Sequence, residues 1–240
     1  LNQVAQHITP KTKVILCQHT FGIPTDTTML RPICDEHDLI LIEDCAHVIP
    51  TAKEQSSLGS QADVVICSFG RDKALSGVSG GATLTANESL QAALQKAEAS
   101  AKPVSYWRIL NLIDYPLRYA YAKWIWPLRL GKLYLRWIRL IRFLPPVLTT
   151  AEKAGQADGT LYQLPNACAA IALAQWHELD VINAHRKQLA MLYEQAAQEY
   201  GWITPGIKAI VPQKTPLFFE NATAIRTRLK QQQIYLDDGW

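Results

Sequence analysis

The fold of this chain is decided by the stretch LILIEDCAH at residues 39–47, where an apolar run ends in two acidic residues. Three further runs are short and apolar in the same way: VILC at 14–17, VVIC at 64–67 and the weaker GATLT at 81–85. Such runs are typical of parallel strands covered by helices. Residues 26–37 have helical spacing, with Thr25 or Asp26 as a cap. The sequence therefore predicts an α/β domain whose ligands bind at the carboxyl ends of its strands.

The composition indicates a globular protein with a sizeable core. Of the 240 residues, 48% are apolar and 19% are charged, which is unlike a disordered chain. The five cysteines form no CxxC pair, and this odd number predicts reduced thiols in a cytoplasmic protein. The only methionines are Met29 and Met191, so we expect the chain to be a piece of a longer protein.

The stretch 102–146 has a different composition from the rest of the chain. It contains nine Lys or Arg residues, four of the seven tryptophans and a single acidic residue, Asp114. Residues 133–144 have helical spacing that separates basic from apolar side chains, as in helices that lie on membranes. Within this stretch no run of about 20 residues lacks a charge, which argues against a transmembrane span there. Two interpretations stay open, an anionic membrane surface or the surface of a partner subunit. The modest net charge of +3 argues against nucleic acid.

The remainder of the chain predicts one long helix and the beginning of a second domain. The helix covers 164–200, with Pro165 at its start and Gly201 as its stop signal. A shorter helix is predicted over 222–233. The predicted divisions are part of the large α/β domain at 1–101, a basic and aromatic insertion at 102–150, a linking helix at 151–200 and the start of a small domain at 201–240.

Two side chains at the predicted sheet edge carry the most chemical information. Asp44 ends the second strand, and Lys73 follows the third strand beside the glycine-rich run SGVSGG at 76–81. Separately, Asp44 could be a loop cap and Lys73 a solvated lysine. Together they form the pair that pyridoxal 5'-phosphate (PLP) requires, a carboxylate for the pyridine nitrogen and an amine for the aldehyde. No P-loop, HExxH or GxSxG motif is present, and we predict no metal site.

The order of several motifs resembles one family. The motifs are QHTFGIP at 18–24, IEDCAH at 42–47, SF at 68–69 with a lysine four residues later at Lys73, GG at 80–81 and LPNA at 164–167. Over about residues 10–100 and 150–240 the chain resembles the DegT/DnrJ/EryC1/StrS family of PLP-dependent sugar aminotransferases. The resemblance implies a large domain of the aspartate aminotransferase type, with a mixed, mostly parallel sheet, followed by the start of a small α+β domain.

The resemblance also implies roles for four residues. Lys73 would hold PLP through a Schiff base and then move the proton between substrate and cofactor carbons. Asp44 would pair with the pyridine nitrogen, His47 would lie near the ring hydroxyl, and Ser68 would bind the cofactor phosphate. The chain departs from the family where Ala74 follows the lysine, because many members have Asn there.

The implied reaction transfers an amino group, typically from glutamate, to a keto group of a nucleotide-linked sugar for surface polysaccharide synthesis. The resemblance further implies a homodimer in the cytoplasm, and the insertion adds peripheral contact with the inner face of the membrane as an alternative. Two other functions stay open. A sugar dehydratase-like relative is disfavoured because Lys73 is present, and a non-catalytic, membrane-associated relative is disfavoured because Asp44 and Lys73 are both present.

Overall fold

A computed structural model of the chain describes residues 2–50, 58–141, 143–144, 151, 154–156, 159–206 and 211–236. Within these residues one sheet of four strands is formed, in the spatial order of the chain. The strands are β1 (Val14–Gln18), β2 (Ile40–Cys45), β3 (Val64–Ser68) and β4 (Gly81–Leu84). All four predicted strands are confirmed.

The first three strands are parallel and the fourth is antiparallel. Gln18 lies opposite Asp44 in the β1–β2 pair, and Cys45 lies opposite Cys67 in the β2–β3 pair. Strand β4 pairs with β3 in the opposite direction. The prediction of a mixed, mostly parallel sheet is confirmed, and the carboxyl ends of β1, β2 and β3 lie along one edge. Coverage by the described helices is incomplete, because Leu16 of β1 is 59% exposed.

The described residues contain eight α-helices. They are α1 (Asn2–Gln6), α2 (Arg31–Glu36), α3 (Glu88–Ala99), α4 (Tyr106–Trp124), α5 (Leu130–Leu140), α6 (Asn166–His177), α7 (Leu179–Tyr200) and α8 (Ala222–Gln231). None of these helices combines the length and apolar character needed to cross a bilayer.

Helix α2 begins five residues later than the prediction of a helix over 26–37. The carboxylate of Asp26 accepts hydrogen bonds from the backbone N–H and the hydroxyl of Thr28, at 3.0 and 2.5 Å. Such a local side-chain bond stabilises a turn in place of the first turn of a helix. The predicted cap therefore forms a turn that precedes the helix.

The single long helix predicted over 164–200 is wrong, because this region forms the two helices α6 and α7. Glu178 separates them with a non-helical backbone (φ −96°, ψ 2°). Ala172 of α6 and Leu179 of α7 are buried in the same apolar cluster, so both helices contribute to the core on either side of the break. The predicted stop is confirmed, since Gly201 ends α7 in the left-handed conformation with φ 67°.

The insertion folds as a helical hairpin of α4 and α5. A 3₁₀ turn, Trp126–Leu128, joins the helices, and Arg129 follows it in the left-handed conformation with φ 60°. Helix α5 begins and ends earlier than the predicted 133–144, and Arg142 lies outside the described residues. Leu112 of α4 is buried with Val78 and Cys168, which attaches the hairpin to the body.

The main core lies between the sheet and the two helices α6 and α7. Its buried members include Cys45, Val48, Val65, Leu75 and Leu179. All five cysteines are buried free thiols, as predicted. Burial is the main reason why the pKa of Cys67 rises to about 11, and it raises the pKa of Cys45 further. These thiols are therefore unreactive in the folded chain.

The chain beyond Gly201 returns to the sheet edge before it forms its last helix. Ile203 and Phe218 form an isolated antiparallel bridge. The backbone N–H of Gln213 donates a 2.8 Å hydrogen bond to the carbonyl of Phe21, so this segment lies beside the loop after β1. Helix α8 stops two residues before the predicted end at 233. The domain boundaries at 101, 150 and 200 stay predictions.

Candidate active site

Asp44 lies at the carboxyl end of β2 and is held by two hydrogen bonds. The Gln18 amide donates to Oδ2 and the backbone N–H of Ala46 donates to Oδ1, both at 2.9 Å. Asp44 is only partly buried, and each carboxylate oxygen has a further lone pair. The carboxylate is thus oriented by the protein and can still accept a hydrogen bond from a ligand.

Lys73 lies in the loop between β3 and β4, close to Ser68. Its backbone N–H donates to the carbonyl of Gly70 at 3.2 Å. A Cβ added to Gly70 would lie 3.3 Å from Cγ of Lys73 and 3.6 Å from the hydroxyl oxygen of Ser68. The lysine side chain and the serine hydroxyl therefore both lie beside Gly70, where a larger residue would crowd them.

Two helices far along the chain hold this loop. Gln175 of α6 accepts a 3.0 Å hydrogen bond from the backbone N–H of Ser76. Arg186 of α7 donates to the carbonyl of Ala74 at 2.8 Å, and burial lowers the pKa of this arginine. The loop that carries Lys73 is therefore positioned by residues about 100 positions later in the sequence.

His47 is buried next to the loop that follows β1. Its Nδ1 accepts a hydrogen bond of 3.1 Å from the backbone N–H of Phe21, and the two rings stack with centroids 6.4 Å apart. Because Nδ1 is an acceptor, Nε2 carries the hydrogen of the neutral ring. Burial lowers the pKa of His47, and the positive charges of Lys73 and Lys214 lower it further. His47 is therefore a neutral imidazole at neutral pH.

The structure brings the four residues proposed from the sequence to one edge of the sheet. His47 lies within electrostatic range of both Asp44 and Lys73, and Ser68 shares the contact with Gly70 described above. This is the arrangement that parallel strands β2 and β3 produce when their carboxyl ends are followed by functional loops.

Sequence reasoning missed several residues that complete this edge. Gln18 orients Asp44. It could have been identified from the sequence, because it lies at the end of β1 as Asp44 lies near the end of β2, and the two residues are opposite each other in the sheet. Phe21 stacks on His47 from a left-handed backbone position with φ 60°. Lys214 reaches the site from a segment with no recognisable local motif. Only the tertiary structure could have identified it.

A second polar group lies beneath the edge and has a structural role. His19 and Glu43 are both fully buried, with Nε2 and Oε2 3.0 Å apart. Since His19 Nδ1 accepts a hydrogen bond from the N–H of Thr25, its Nε2–H donates to Glu43 and the ring is neutral. Burial alone would raise the pKa of Glu43, but bonds from His19 and from the Gly59 N–H lower it.

These hydrogen bonds also account for a cluster with metal-ligand composition. Potential ligand atoms of His19, Glu43 and Cys45 lie within 4.8 Å of one another. However, both ring nitrogens of His19 are engaged, and burial keeps the Cys45 thiol protonated by raising its pKa. The hydrogen bonds explain the cluster without a metal ion.

The fold built by this sheet and its helices occurs in several solved proteins. DesI, solved with its TDP-sugar product, aligns with all of this chain at a TM-score of 0.66 and 18% identity, and the chain covers 52% of it. The putative sugar aminotransferase Spr1654 from Streptococcus pneumoniae, in its PMP form, aligns with all of this chain at 0.64 and 18%, with 58% of that protein covered. The chain therefore has the α/β fold of PLP-dependent sugar aminotransferases.

The sequence comparison finds a match to one family over the first part of the chain. Residues 1–109 match the model of the DegT/DnrJ/EryC1/StrS aminotransferase family, which confirms the resemblance inferred from the motifs. GDP-perosamine synthase from Vibrio cholerae is 28% identical over 193 residues, or 80% of this chain and 40% of that protein. The chain thus spans less than half the length of this curated relative.

Proposed function

We propose that the protein is a PLP-dependent aminotransferase that transfers an amino group from glutamate to the keto group of a nucleotide-linked sugar. The observation that carries this proposal is the placement of Asp44, His47 and Lys73 at one edge of the sheet. The charges of Asp44 and Lys73 both act on the pKa of His47, Asp44 raising it and Lys73 lowering it. The family match over residues 1–109 supports the same reaction class.

The donor set at this edge fits PLP. Asp44 offers a fixed carboxylate with free lone pairs, Lys73 a partly buried amine, and Ser68 a hydroxyl next to that amine. A pyridine ring with an aldehyde and a phosphate requires these three chemical groups. When bound, PLP supplies an electron sink that stabilises negative charge on the adjacent substrate carbon.

Each residue has a defined task in this proposal. Asp44 keeps a proton on the pyridine nitrogen, and Gln18 fixes the direction of its carboxylate. Lys73 would hold the cofactor through its amine and, once free of it, would act as the base that moves a proton between the substrate carbon and the cofactor carbon. His47 offers an uncharged N–H donor from Nε2, because Phe21 occupies Nδ1. Ser68 binds the phosphate.

The substrate class is supported by the relatives. One relative is a GDP-perosamine synthase, and DesI was solved with its TDP-sugar product, so both names refer to a nucleotide-linked sugar. We extend this substrate class to the present chain, with synthesis of surface polysaccharide in the cytoplasm as the setting. We also propose that the enzyme works as a homodimer.

The first test is covalent trapping of PLP in the product of the complete gene. The protein is incubated with PLP, reduced with borohydride, digested and analysed by mass spectrometry. We expect a pyridoxyl group on Lys73, and its loss in Lys73→Ala. Lys214→Ala is the matched control, because it removes a neighbouring lysine while the label on Lys73 should stay. A label that persists in Lys73→Ala, or no label on Lys73, would contradict the proposal.

The second test separates the aminotransferase from its alternatives. The protein is given a nucleotide-linked keto sugar and glutamate, and 2-oxoglutarate is measured. Amino transfer that is lost in Lys73→Ala supports the proposal. Loss of water from the sugar without 2-oxoglutarate would identify a dehydratase. A protein that takes up no PLP and forms neither product would identify a non-catalytic relative.

A further inference from the structure

The helical hairpin of α4 and α5 presents apolar side chains that no described residue covers. On α5 the exposed members are spaced by three and four residues and so share one face of the helix: Leu130, Leu133, Trp137 and Leu140. Trp137 is 58% exposed and Leu140 is 80% exposed, whereas Ile138 on the opposite side is buried against the protein. Helix α5 therefore has an exposed apolar face in addition to the face that is buried against the rest of the protein.

A row of positive charges borders this apolar face. Lys132, Arg136 and Arg139 are spaced by four and three residues on α5, and all three are exposed. Arg136 and Arg139 form no ion pair with any residue that the structure describes. The one acidic residue of the hairpin, Asp114, is paired with Arg118 of its own helix. The exposed charge of the hairpin is thus almost entirely positive.

Helix α4 extends the apolar surface. Leu117 is 70% exposed and Trp124 is 76% exposed, and Tyr121 lies between them on the same face. The ring of Tyr121 meets the ring of Tyr134 on α5 edge to face, with centroids 5.1 Å apart. This contact joins the two apolar faces into one surface.

We propose that this hairpin docks onto an anionic phospholipid surface. Helix α5 would lie in the plane of the membrane, with Leu133, Trp137 and Leu140 at the boundary of head groups and acyl chains. Its basic row would contact lipid phosphates. Exposed tryptophans and tyrosines suit this boundary, because their rings are apolar and their N–H or O–H groups stay hydrated.

The charge distribution favours lipid over a second copy of the chain. In a symmetric dimer through this face, the arginines of one hairpin would meet those of the other, and the described acid Asp114 is already engaged. An anionic bilayer offers the opposite charge to every basic side chain at once. This inference does not depend on the proposed aminotransferase activity.

The test is sedimentation with vesicles of phosphatidylcholine alone or with about one third phosphatidylglycerol, at salt concentrations from about 0.05 to 0.5 M. We expect binding only to the anionic vesicles and weaker binding at high salt. Arg136→Gln with Arg139→Gln should reduce the affinity about 25-fold, since each basic residue near the surface contributes roughly fivefold. A serine variant that combines Leu133→Ser, Trp137→Ser and Leu140→Ser should reduce the affinity by about tenfold or more.

Matched controls lie elsewhere on the surface of the chain. Leu192→Ser removes a 61% exposed leucine from α7, and Arg228→Gln with Lys230→Gln removes two exposed charges from α8. These variants should bind vesicles like the wild type, and circular dichroism should show that all variants are folded. Equal binding to neutral vesicles, no binding at low salt, or equal losses in the controls would overturn the proposal. Self-association that the serine variant abolishes, without vesicle binding, would assign the face to a dimer.

Discussion

The guanidinium carbon of Arg71 lies 4.1 Å from the centre of the Tyr115 ring. Arg71 belongs to the loop that carries Lys73, and Tyr115 belongs to α4 of the hairpin. This cation–π contact connects the candidate cofactor site with a helix that lies mostly beyond the family match at residues 1–109. The hairpin therefore contributes to the position of the loop as well as to the surface.

Removing the Tyr115 ring should weaken PLP binding. In Tyr115→Leu, the loop loses an interaction of about 0.5–1 kcal/mol, so we expect the dissociation constant for PLP to rise about two- to fivefold. Titration of PLP absorbance would measure this change. Tyr115→Phe keeps the ring and should bind PLP like the wild type. An unchanged dissociation constant in Tyr115→Leu would show that the loop is held without this contact.

His47 should make the stability of the chain depend on pH in the weakly acidic range. Its pKa in the folded chain is below the usual value of 6.5, chiefly because of burial and then because of Lys73 and Lys214. Asp44 and Asp72 oppose this shift only in part. As the pH falls below 6.5, the unfolded chain binds a proton that the folded chain does not, and the free energy of unfolding decreases.

Urea denaturation at pH values between about 5 and 7.5 would measure this effect. The wild type should lose stability towards the acidic end, and His47→Gln should lose less over the same interval. Lys214→Met should also reduce the loss, because it removes one charge that disfavours the imidazolium. The interpretation is wrong if the wild type and His47→Gln have parallel profiles.

Glu43→Gln should destabilise the chain by about 1–3 kcal/mol, even though the shape of the side chain is kept. The oxygen Oε2 of Glu43 accepts hydrogen bonds from His19 and Gly59, while Oε1 is buried and has no partner among the residues that the structure describes. The glutamine oxygen can replace Oε2, but its amide group would then be a buried donor without an acceptor. Chemical denaturation at neutral pH would measure the loss.

The matched control is the ion pair between Arg31 and Asp35 on α2. The Asp35 side chain is 65% exposed, so Asp35→Asn should cost no more than about 1 kcal/mol. If the two substitutions have equal effects, the buried pair does not have the structural importance assigned to it.

Gly22→Ala should be more harmful than Gly201→Ala, although both glycines have positive φ angles of 81° and 67°. A Cβ at Gly22 would lie 2.8 Å from the carbonyl oxygen of His47 and 2.9 Å from the backbone nitrogen of Gln213. A Cβ at Gly201 would meet nothing within 4 Å. Overpacking should add about 1–3 kcal/mol to the backbone cost that both variants share. Equal destabilisation, measured by thermal or urea unfolding, would contradict the close packing at Gly22.

The strands and the polar groups at their ends could be predicted because their signals are local. An apolar run of four or five residues followed by Asp44 or by Ser68 indicates both the strand and its functional end. The predicted helix over 26–37 failed at its start because a side-chain bond within Asp26–Thr28 competed with the helix. Local rules weigh such alternatives poorly.

The remaining part of the site depends on contacts between distant segments. No glycine or proline near Glu178 marks the end of α6, and the break is visible only in the non-helical backbone of Glu178. Lys214 approaches His47 only because residues 211–213 return to the loop after β1. A sequence pattern has no information about such contacts until the fold is known.

The two bonds that hold the Lys73 loop have a consequence for the order in which the chain matures during translation. The four strands of the sheet are complete once residue 84 has been made, but the carbonyl of Ala74 is bound by Arg186 and the N–H of Ser76 by Gln175. A nascent chain folds from its N-terminal part first, and contacts at long sequence separation form late. The contacts that hold the loop of the reactive amine can therefore be complete only after Arg186 has been made, more than 100 residues after the last strand.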